Sequence, residues 1–150
     1  MFSHPPLPPG GPVARFGSPR SFDAFGFCDG SLKRHVGACG SLLLDTNGAL
    51  VAESSRTLQG LFMDSNQVEF QGLLDTLSAA ALLNIKSLWI GVDCFELVFH
   101  MLKNSLRYTK DLTLLAELIS RFEHVCIQAI ARKHNKQADA LARKGIINIR

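Results

Sequence analysis

The strongest constraint on the fold of this chain is a pair of apolar runs on either side of Thr46-Asn47-Gly48. The runs are VGACGSLLLD and ALVAESSRTL, and Asn-Gly between apolar runs is the strongest short-range signal of a β-hairpin. The preceding segment FDAFGFCD alternates, with Phe25, Phe27 and Asp29 on one face, as a strand does. We therefore predict three antiparallel strands, the first ending at Asp29 and followed by a polar link from Ser31 to His35.

The period of the apolar residues changes at Ser65 from two to nearly four, which indicates a helix. Ser65 is a suitable N-cap, so Glu69 would lie in the first helical turn or just past it, and Asn84 could end the helix. SLWIGVD then forms a short apolar run that ends in Asp93. Such a run is typical of a central strand that is covered on both faces.

The remaining segments predict two helices, a last strand and a closing helix. FELVFHMLK and residues 109–122 have helical periods, HVCIQAIA alternates as a strand does, and Asn135 to Lys144 reads as a helix with Asp139 near its start. This order of elements favours the α/β class. We expect a five-stranded mixed sheet, antiparallel in its first three strands, with helices on both faces.

The length and composition predict one compact domain between two short tails. A chain of 150 residues with 47% hydrophobic content can bury a core by itself. We place the domain at residues 22–146, with a short tail at 147–150. The prolines of residues 1–21 forbid a helix or a ladder there and predict an extended, mobile tail. Its PPLPPGGP run is a plausible polyproline ligand for a partner protein.

Several classes of protein are disfavoured by the sequence. No apolar run reaches the roughly 18 residues that a membrane span needs, so we expect no membrane association. The four cysteines lack the paired short spacing of zinc sites, which favours reduced core thiols in an intracellular protein of the nucleus or cytoplasm. An organelle is less favoured, because the prolines prevent the amphipathic helix of a transit peptide. The net charge of +3 permits contact with a polyanion without requiring it.

Four acidic residues stand in separate, recognisable contexts. These are Asp29 in FCDGS, Glu69 in SNQVEFQGL, Asp93 in LWIGVDC and Asp139 in RKHNKQADALA. Their order and contexts resemble the type 1 ribonuclease H family, especially its plant, reverse-transcriptase-associated and retrotransposon-derived branch, over residues 22–146. The resemblance also rests on residues around the acids: Gly30, Ser31, Asn66, Arg132, Asn135, Ala138, Leu141 and Ala142.

The resemblance implies a ribonuclease H-like fold and a metal-dependent endonuclease that hydrolyses the RNA strand of RNA–DNA hybrids. Two divalent ions about 4 Å apart can activate a water and stabilise the leaving oxygen of a phosphodiester. Mg²⁺ prefers oxygen ligands, so carboxylates suit it, and Mn²⁺ is a possible substitute. By the resemblance, Asp29 would bridge both ions, Glu69 and Asp93 would hold the first, and Asp139 would hold the second.

The resemblance also implies residues that bind the substrate. Backbone amides near Gly30 and Ser31 and the side chain of Asn66 would touch ribose 2′-hydroxyls, by which a protein distinguishes RNA from DNA. We count Asn135 with the substrate-binding residues as well. Lys33 and Arg34 could meet phosphates or form a solvated turn. His134 is a possible auxiliary residue, although an exposed position at a helix start is the simpler interpretation.

Simpler explanations exist for each acid taken alone. Asp29 could form a turn, Glu69 could favour a helix start, Asp93 could be an N-cap and Asp139 a surface acid. Two alternatives to the nuclease therefore stay open: a weakly active or inactive module that binds hybrid or double-stranded RNA, and a protein-interaction domain. We expect a monomer. Cys94 departs from the family pattern, in which a small hydroxyl residue commonly follows the third acid, and Gly72 is unusual inside a helix.

Overall fold

A computed structural model of the chain describes residues 11–59, 64–98 and 109–147. The described residues contain six strands, three α-helices of 11 residues or more and one short 3₁₀ turn. They are β1 (Val13–Gly17), β2 (Ala24–Lys33), β3 (Val36–Asp45), β4 (Leu50–Gln59), α1 (Ser65–Leu82), β5 (Ser87–Val92), α2 (Thr109–Ile119), β6 (His124–Ala129), the 3₁₀ turn Arg132–His134 and α3 (Lys136–Ile147).

All six strands form one mixed sheet in the order β1-β6-β5-β2-β3-β4. Strands β2, β3 and β4 pair antiparallel, and the hairpin between β3 and β4 turns at Asn47-Gly48, where Gly48 has a φ of 82°. Strands β2, β5 and β6 are parallel to one another. The predicted α/β class and the antiparallel first hairpins are confirmed, but the prediction of five strands is wrong by one.

The sixth strand, β1, lies in the segment that we predicted to be an unstructured tail. It pairs antiparallel with β6, from Val13 opposite Gln128 to Gly17 opposite His124. Pro12 precedes the strand and contributes only its carbonyl, which accepts a hydrogen bond from the amide of Ala129 at 2.9 Å. An edge strand tolerates proline beside it, because one side of the strand makes no ladder bonds. Residues 1–10 of the predicted tail lie outside the described residues.

We predicted that strand β2 ends at Asp29, but it continues to Lys33. Its pairing with β3 runs without interruption to Lys33 opposite Val36. The turn that follows is tight, because Arg34 and His35 both adopt positive φ, of 51° and 66°. A two-residue turn with positive φ at both positions matches the twist of a hairpin. Asp29 therefore lies in the middle of a strand and is fully buried.

Helix α1 is capped one residue earlier than we predicted. The side chain of Asp64 accepts a hydrogen bond from the amide of Gln67 at 2.8 Å, and the Gln67 side chain accepts one from the Asp64 amide at 2.9 Å. This reciprocal capping box satisfies two amides of the helix start. Glu69 consequently lies just past the first turn. At the other end, Asn84 has a φ of 58° directly after the C-cap.

Helices cover both faces of the sheet, as predicted. The start of α1 lies so close to β2 that a Cβ at Gly30 would be 2.7 Å from the backbone nitrogen of Glu69. Helix α3 lies against the other face, where a Cβ at Gly40 would be 2.5 Å from the carbonyl oxygen of Ala138. The largest core cluster joins the α1 face of the sheet to α1 and α2, and Phe25 and Trp89 belong to a second cluster.

Some predictions concern residues that the structure does not describe. The predicted helix FELVFHMLK is helical at residues 95–98, and the rest of it lies outside the described residues. The four cysteines are free thiols, as expected. None of the helices in the described part of the chain is long and apolar enough to cross a membrane.

Candidate active site

The candidate site lies in a notch where β5 ends beside β2. Strand β5 accompanies β2 only as far as the pair Cys28–Val92, whereas β3 accompanies β2 for five more residue pairs, from Asp29 to Lys33. The segment after β5 turns away at Asp93. The carboxyl ends of parallel strands are where ligand sites form in open α/β sheets, and this notch has acids on both of its strands.

Three of the four predicted acids meet in this notch. Asp29, Glu69 and Asp93 each offer one carboxylate oxygen, and these three oxygens all lie within 4.8 Å of one another. The residues come from β2, α1 and the end of β5. Asp29 is completely buried, and the other two are partly exposed. Residues distant in sequence are thus brought together by the parallel pairing of β2 with β5 and by the close approach of α1.

Two buried oxygens of this cluster lack a hydrogen-bond partner within the described part of the chain. Oδ1 of Asp29 accepts a hydrogen bond from the amide of Gly30 at 2.9 Å, but Oδ2 of Asp29 and Oε2 of Glu69 are buried and have no hydrogen-bond partner there. Buried polar atoms are nearly always satisfied, by protein, water or an ion. Two unsatisfied carboxylate oxygens, with the carboxylate of Asp93 beside them, fit a hard divalent cation.

The same crowding raises the affinity of two of these acids for protons. Burial is the largest cause that raises the pKa of Asp29, from 3.8 to about 7, and the charge of Asp93 adds to it. Burial likewise is the main cause that raises the pKa of Glu69, with the neighbouring charges of Asp29 and Asp93 next. Like charges in a buried cluster disfavour full ionisation, so the cluster is electrostatically unfavourable without a cation.

Asp139 lies beside the three acids rather than among them. It belongs to α3, and its interaction with Asp29 is one of the causes that raise the pKa of Asp29. Together with Glu69 it lines a cavity of about 290 Å³. One oxygen of Asp139 is 3.1 Å from a guanidinium nitrogen of Arg143, one helical turn later. The fourth acid is therefore at the same site but is engaged by a cation of the protein.

Asn135, which we predicted to bind substrate, is buried at the start of α3. Only 1% of its surface is exposed. Its Nδ2 donates to the carbonyl of Cys28 at 2.8 Å and lies 3.4 Å from Oδ2 of Asp93. This amide joins the start of α3 to β2 and to the third acid. The side-chain nitrogen of Asn135 thus contacts groups of the protein itself. A contact between Asn135 and substrate stays a prediction.

The other predicted substrate residues line the cavity or the surface around it. Gly30 and Ser31 line the cavity together with Glu69, Arg132 and Asp139. Asn66 is half-buried on α1, and its Oδ1 accepts a hydrogen bond from Sγ of Cys94 at 3.4 Å. The three remaining residues, in the β2–β3 hairpin and the 3₁₀ turn, are exposed: Lys33, Arg34 and His134.

Sequence reasoning missed two features of the site. Arg143 was not singled out, although its spacing of four residues from Asp139 on a helix is the signal for an ion pair. The hydrogen bond between Cys94 and Asn66 had no sequence signal, because it joins two segments whose contact depends on how α1 packs beside the end of β5.

The chain is similar to several known proteins. The sequence profile described as Reverse transcriptase-like matches residues 27–145. A search of curated proteins finds no match to this sequence. Among solved structures, RNase H1 from the halophilic archaeon Halobacterium salinarum NRC-1 superposes with a TM-score of 0.75 at 24% identity, over 84% of this chain and 98% of that one.

Two further structures show the same fold. An N-terminal RNase H domain from Mycobacterium tuberculosis, solved as a fusion with maltose-binding protein, has a TM-score of 0.72 at 21% identity, over 85% of this chain and 95% of that one. LC11-RNase H1, isolated from compost by a metagenomic approach and solved in complex with an RNA/DNA hybrid, has a TM-score of 0.74 at 16% identity, over 83% and 96%. The chain has the ribonuclease H-like fold and belongs to the Reverse transcriptase-like family.

Proposed function

We propose that this protein is a metal-dependent endonuclease that hydrolyses the RNA strand of RNA–DNA hybrids. The observation that carries the proposal is the meeting of Asp29, Glu69 and Asp93 within 4.8 Å in a ribonuclease H-like fold. Two oxygens of this cluster are buried without a partner in the described residues. A cluster of this kind has a physical reason to exist if a cation completes it.

The natural occupant is a pair of Mg²⁺ ions, for which Mn²⁺ could substitute. Asp29 would bind both ions, Glu69 and Asp93 the first, and Asp139 the second. Bound there, the ions would supply Lewis acidity to the phosphate and lower the pKa of a water molecule. The ligand set consists of carboxylates, which are hard oxygen donors.

The protein's own groups hold these ligands in place. The amide of Gly30 fixes one oxygen of Asp29, at 2.9 Å. The buried amide of Asn135 lies beside the carboxylate of Asp93 and anchors itself on the Cys28 carbonyl. Ligands held by strands and by buried amides keep the fixed geometry that catalysis needs.

The surface around the notch suits a nucleic acid. The turn before α3 presents Arg132 and Lys133, and Lys136 follows on the helix, all three exposed. Lys33 and Arg34 are exposed on the β2–β3 hairpin and could bind phosphates. Gly30, Ser31 and Asn66 are proposed to contact ribose 2′-hydroxyls. The similar LC11-RNase H1 was solved with an RNA/DNA hybrid, which supports a hybrid as the substrate class.

The test is cleavage of an RNA–DNA hybrid with labelled RNA, with Mg²⁺ and with a chelator. We expect cutting of the RNA strand only with the metal, and none of double-stranded DNA. Asp93→Asn should abolish cutting, whereas the matched control Glu117→Gln, an exposed acid on α2, should retain it. Cutting in the chelator, or full activity of Asp93→Asn, would contradict the proposal.

A module that binds hybrid or double-stranded RNA without efficient turnover is the second candidate. The ion pair between Asp139 and Arg143 favours this candidate. The guanidinium of Arg143 binds an oxygen of Asp139, and the proposed second ion would need the same carboxylate. Retention of hybrid on a gel without metal-dependent cutting would support this candidate. Binding of neither hybrid nor double-stranded RNA at low salt would exclude both candidates.

A further inference from the structure

Asn66 and Cys94 form a hydrogen bond between α1 and the segment that follows β5. Sγ of Cys94 donates to Oδ1 of Asn66 at 3.4 Å. Asn66 lies one helical turn before Glu69, and Cys94 directly follows Asp93. The bond therefore joins the two segments that carry Glu69 and Asp93, and both of its members are half-buried.

The position of Cys94 is fixed by its neighbours. Its carbonyl accepts a hydrogen bond from the amide of Leu97 at 3.2 Å, and Leu97 and Val98 are buried in the core. On its other side, the carboxylate of Asp93 lies beside the buried amide of Asn135. The thiol is thus presented to α1 from a backbone that is anchored on both sides.

The chemistry of the amide gives this bond a consequence. A side-chain amide carries an acceptor at one corner and two donor hydrogens at the other, and a rotation of 180° exchanges them. A thiol is a weak donor, yet it is enough to favour the orientation that places Oδ1 against Cys94. The donor group Nδ2 then lies at the opposite corner of the planar amide, away from the thiol.

We propose that Cys94 is a positioning residue for substrate selection, which orients the amide of Asn66 so that Nδ2 donates to a 2′-hydroxyl of the RNA strand. This inference rests on the proposed function. In this role Cys94 acts through Asn66 and does not itself contact the reacting atoms. Cys94 stands where the family commonly has a small hydroxyl residue. Its thiol can donate a hydrogen bond to Asn66, as a hydroxyl at that position could.

The experiment compares cleavage of a hybrid whose RNA strand is entirely ribose with cleavage of a series of hybrids. In each member of the series, a single 2′-deoxynucleotide replaces a different ribonucleotide of the RNA strand. The ratio of kcat/KM for the two substrates measures recognition of each 2′-hydroxyl. At the position that Asn66 contacts, we expect Cys94→Ala to lower this ratio about fivefold, as the loss of one hydrogen bond would. Cys94→Ser, which keeps a donor, should restore most of it.

A double-mutant cycle decides whether Cys94 acts through Asn66. Asn66→Ala should lower the same ratio, and adding Cys94→Ala to it should change the ratio no further. Thermal melting of each variant controls for misfolding. Additive effects of the two substitutions, or an equal loss on both substrates with an unchanged ratio, would overturn the inference.

The result also separates this inference from the proposed function. If the wild type retains hybrid without cutting it, the nuclease proposal fails, and the same ratio is then read from binding affinities in the same variants. An unchanged ratio in Cys94→Ala would overturn the role of Cys94 even if the wild type cuts hybrid efficiently.

Discussion

Nδ2 of Asn135 donates to the carbonyl of Cys28 at 2.8 Å, and Cys28 immediately precedes the buried Asp29. The same nitrogen lies 3.4 Å from Oδ2 of Asp93. One side chain at the start of α3 therefore ties that helix to β2 and to Asp93, which directly follows β5. This relationship connects the stability of the fold to the geometry of the site.

Asn135→Ala is expected to reduce both stability and activity. It leaves the buried Cys28 carbonyl without this donor and releases the Asp93 side chain, and an unsatisfied buried group costs about 1–3 kcal/mol. The free energy of unfolding from urea denaturation and the rate of hybrid cleavage should both fall. Gln137→Ala, at an exposed position of the same helix, is the control. If Asn135→Ala has the same free energy of unfolding as the parent, the hydrogen bond from Asn135 to the Cys28 carbonyl does not stabilise the fold.

Asp29→Asn is expected to abolish cleavage without lowering the stability of the metal-free protein. The substitution removes a buried carboxylate whose pKa burial raises to about 7, so it relieves repulsion with Glu69 and Asp93. Active-site residues often reduce stability in this way. The melting temperature in chelator should equal or exceed that of the parent. A clear drop in it would count against electrostatic repulsion in the cluster.

The stability of the metal-free protein should decrease as pH rises from about 4 to 8. The pKa of Asp29 is raised from 3.8 to about 7 on folding, so the native state binds more protons than the unfolded state within that window. The stabilisation relative to high pH is fully present below pH 3.8 and is lost as pH passes the raised pKa. Glu69, raised from 4.5 to about 10, extends the decline to higher pH.

The comparison with variants isolates this contribution from those of other groups. The difference in melting temperature between pH 5 and pH 8, measured in chelator, should shrink in Asp29→Asn and in Glu69→Gln relative to Glu117→Gln. An identical pH dependence in all of these proteins would contradict the raised pKa values.

Gly72→Ala should destabilise the protein, although the same change stabilises an ordinary helix by about 1 kcal/mol. A Cβ at Gly72 would be 2.9 Å from the carbonyl oxygen of Asp29, so α1 or β2 must shift. We expect a lower melting temperature and slower hybrid cleavage, because Glu69 and Asp29 lie on the two elements that would separate. Ser78→Ala on the same helix is the control. A more stable Gly72→Ala protein would show that α1 can move without cost.

The acids of the site could be predicted from sequence because their contexts together resemble those of the ribonuclease H family, although each acid alone has a simpler explanation. Asp93 ends an apolar run, and Glu69 follows a helix start. Their meeting could be inferred only from the resemblance, since it depends on the parallel pairing of β2 with β5, which is non-local. Gly72, unexplained by helix propensity, is accounted for by its contact with β2.

Other features could not be predicted for identifiable physical reasons. Strand β1 is short and owes its structure to pairing with β6, more than 100 residues later, while the nearby prolines indicated a tail. We predicted the end of β2 too early, because Gly30 and Ser31 are residues typical of turns. Only the pairing of β2 with β3 shows that the strand continues through them. Asp64 and Ser65 are both good N-caps, and only the bond to Gln67 distinguishes them.

The most direct test of the account is to locate cations by anomalous diffraction from crystals of the wild type soaked in Mn²⁺. We predict an anomalous peak for a Mn²⁺ ion that lies about 2.2 Å from carboxylate oxygens of Asp29, Glu69 and Asp93. Crystals of Asp29→Asn treated in the same way should show no such peak. A well-occupied Mn²⁺ elsewhere on the protein, with none in the notch, would contradict the metal site on which the proposed hydrolysis depends.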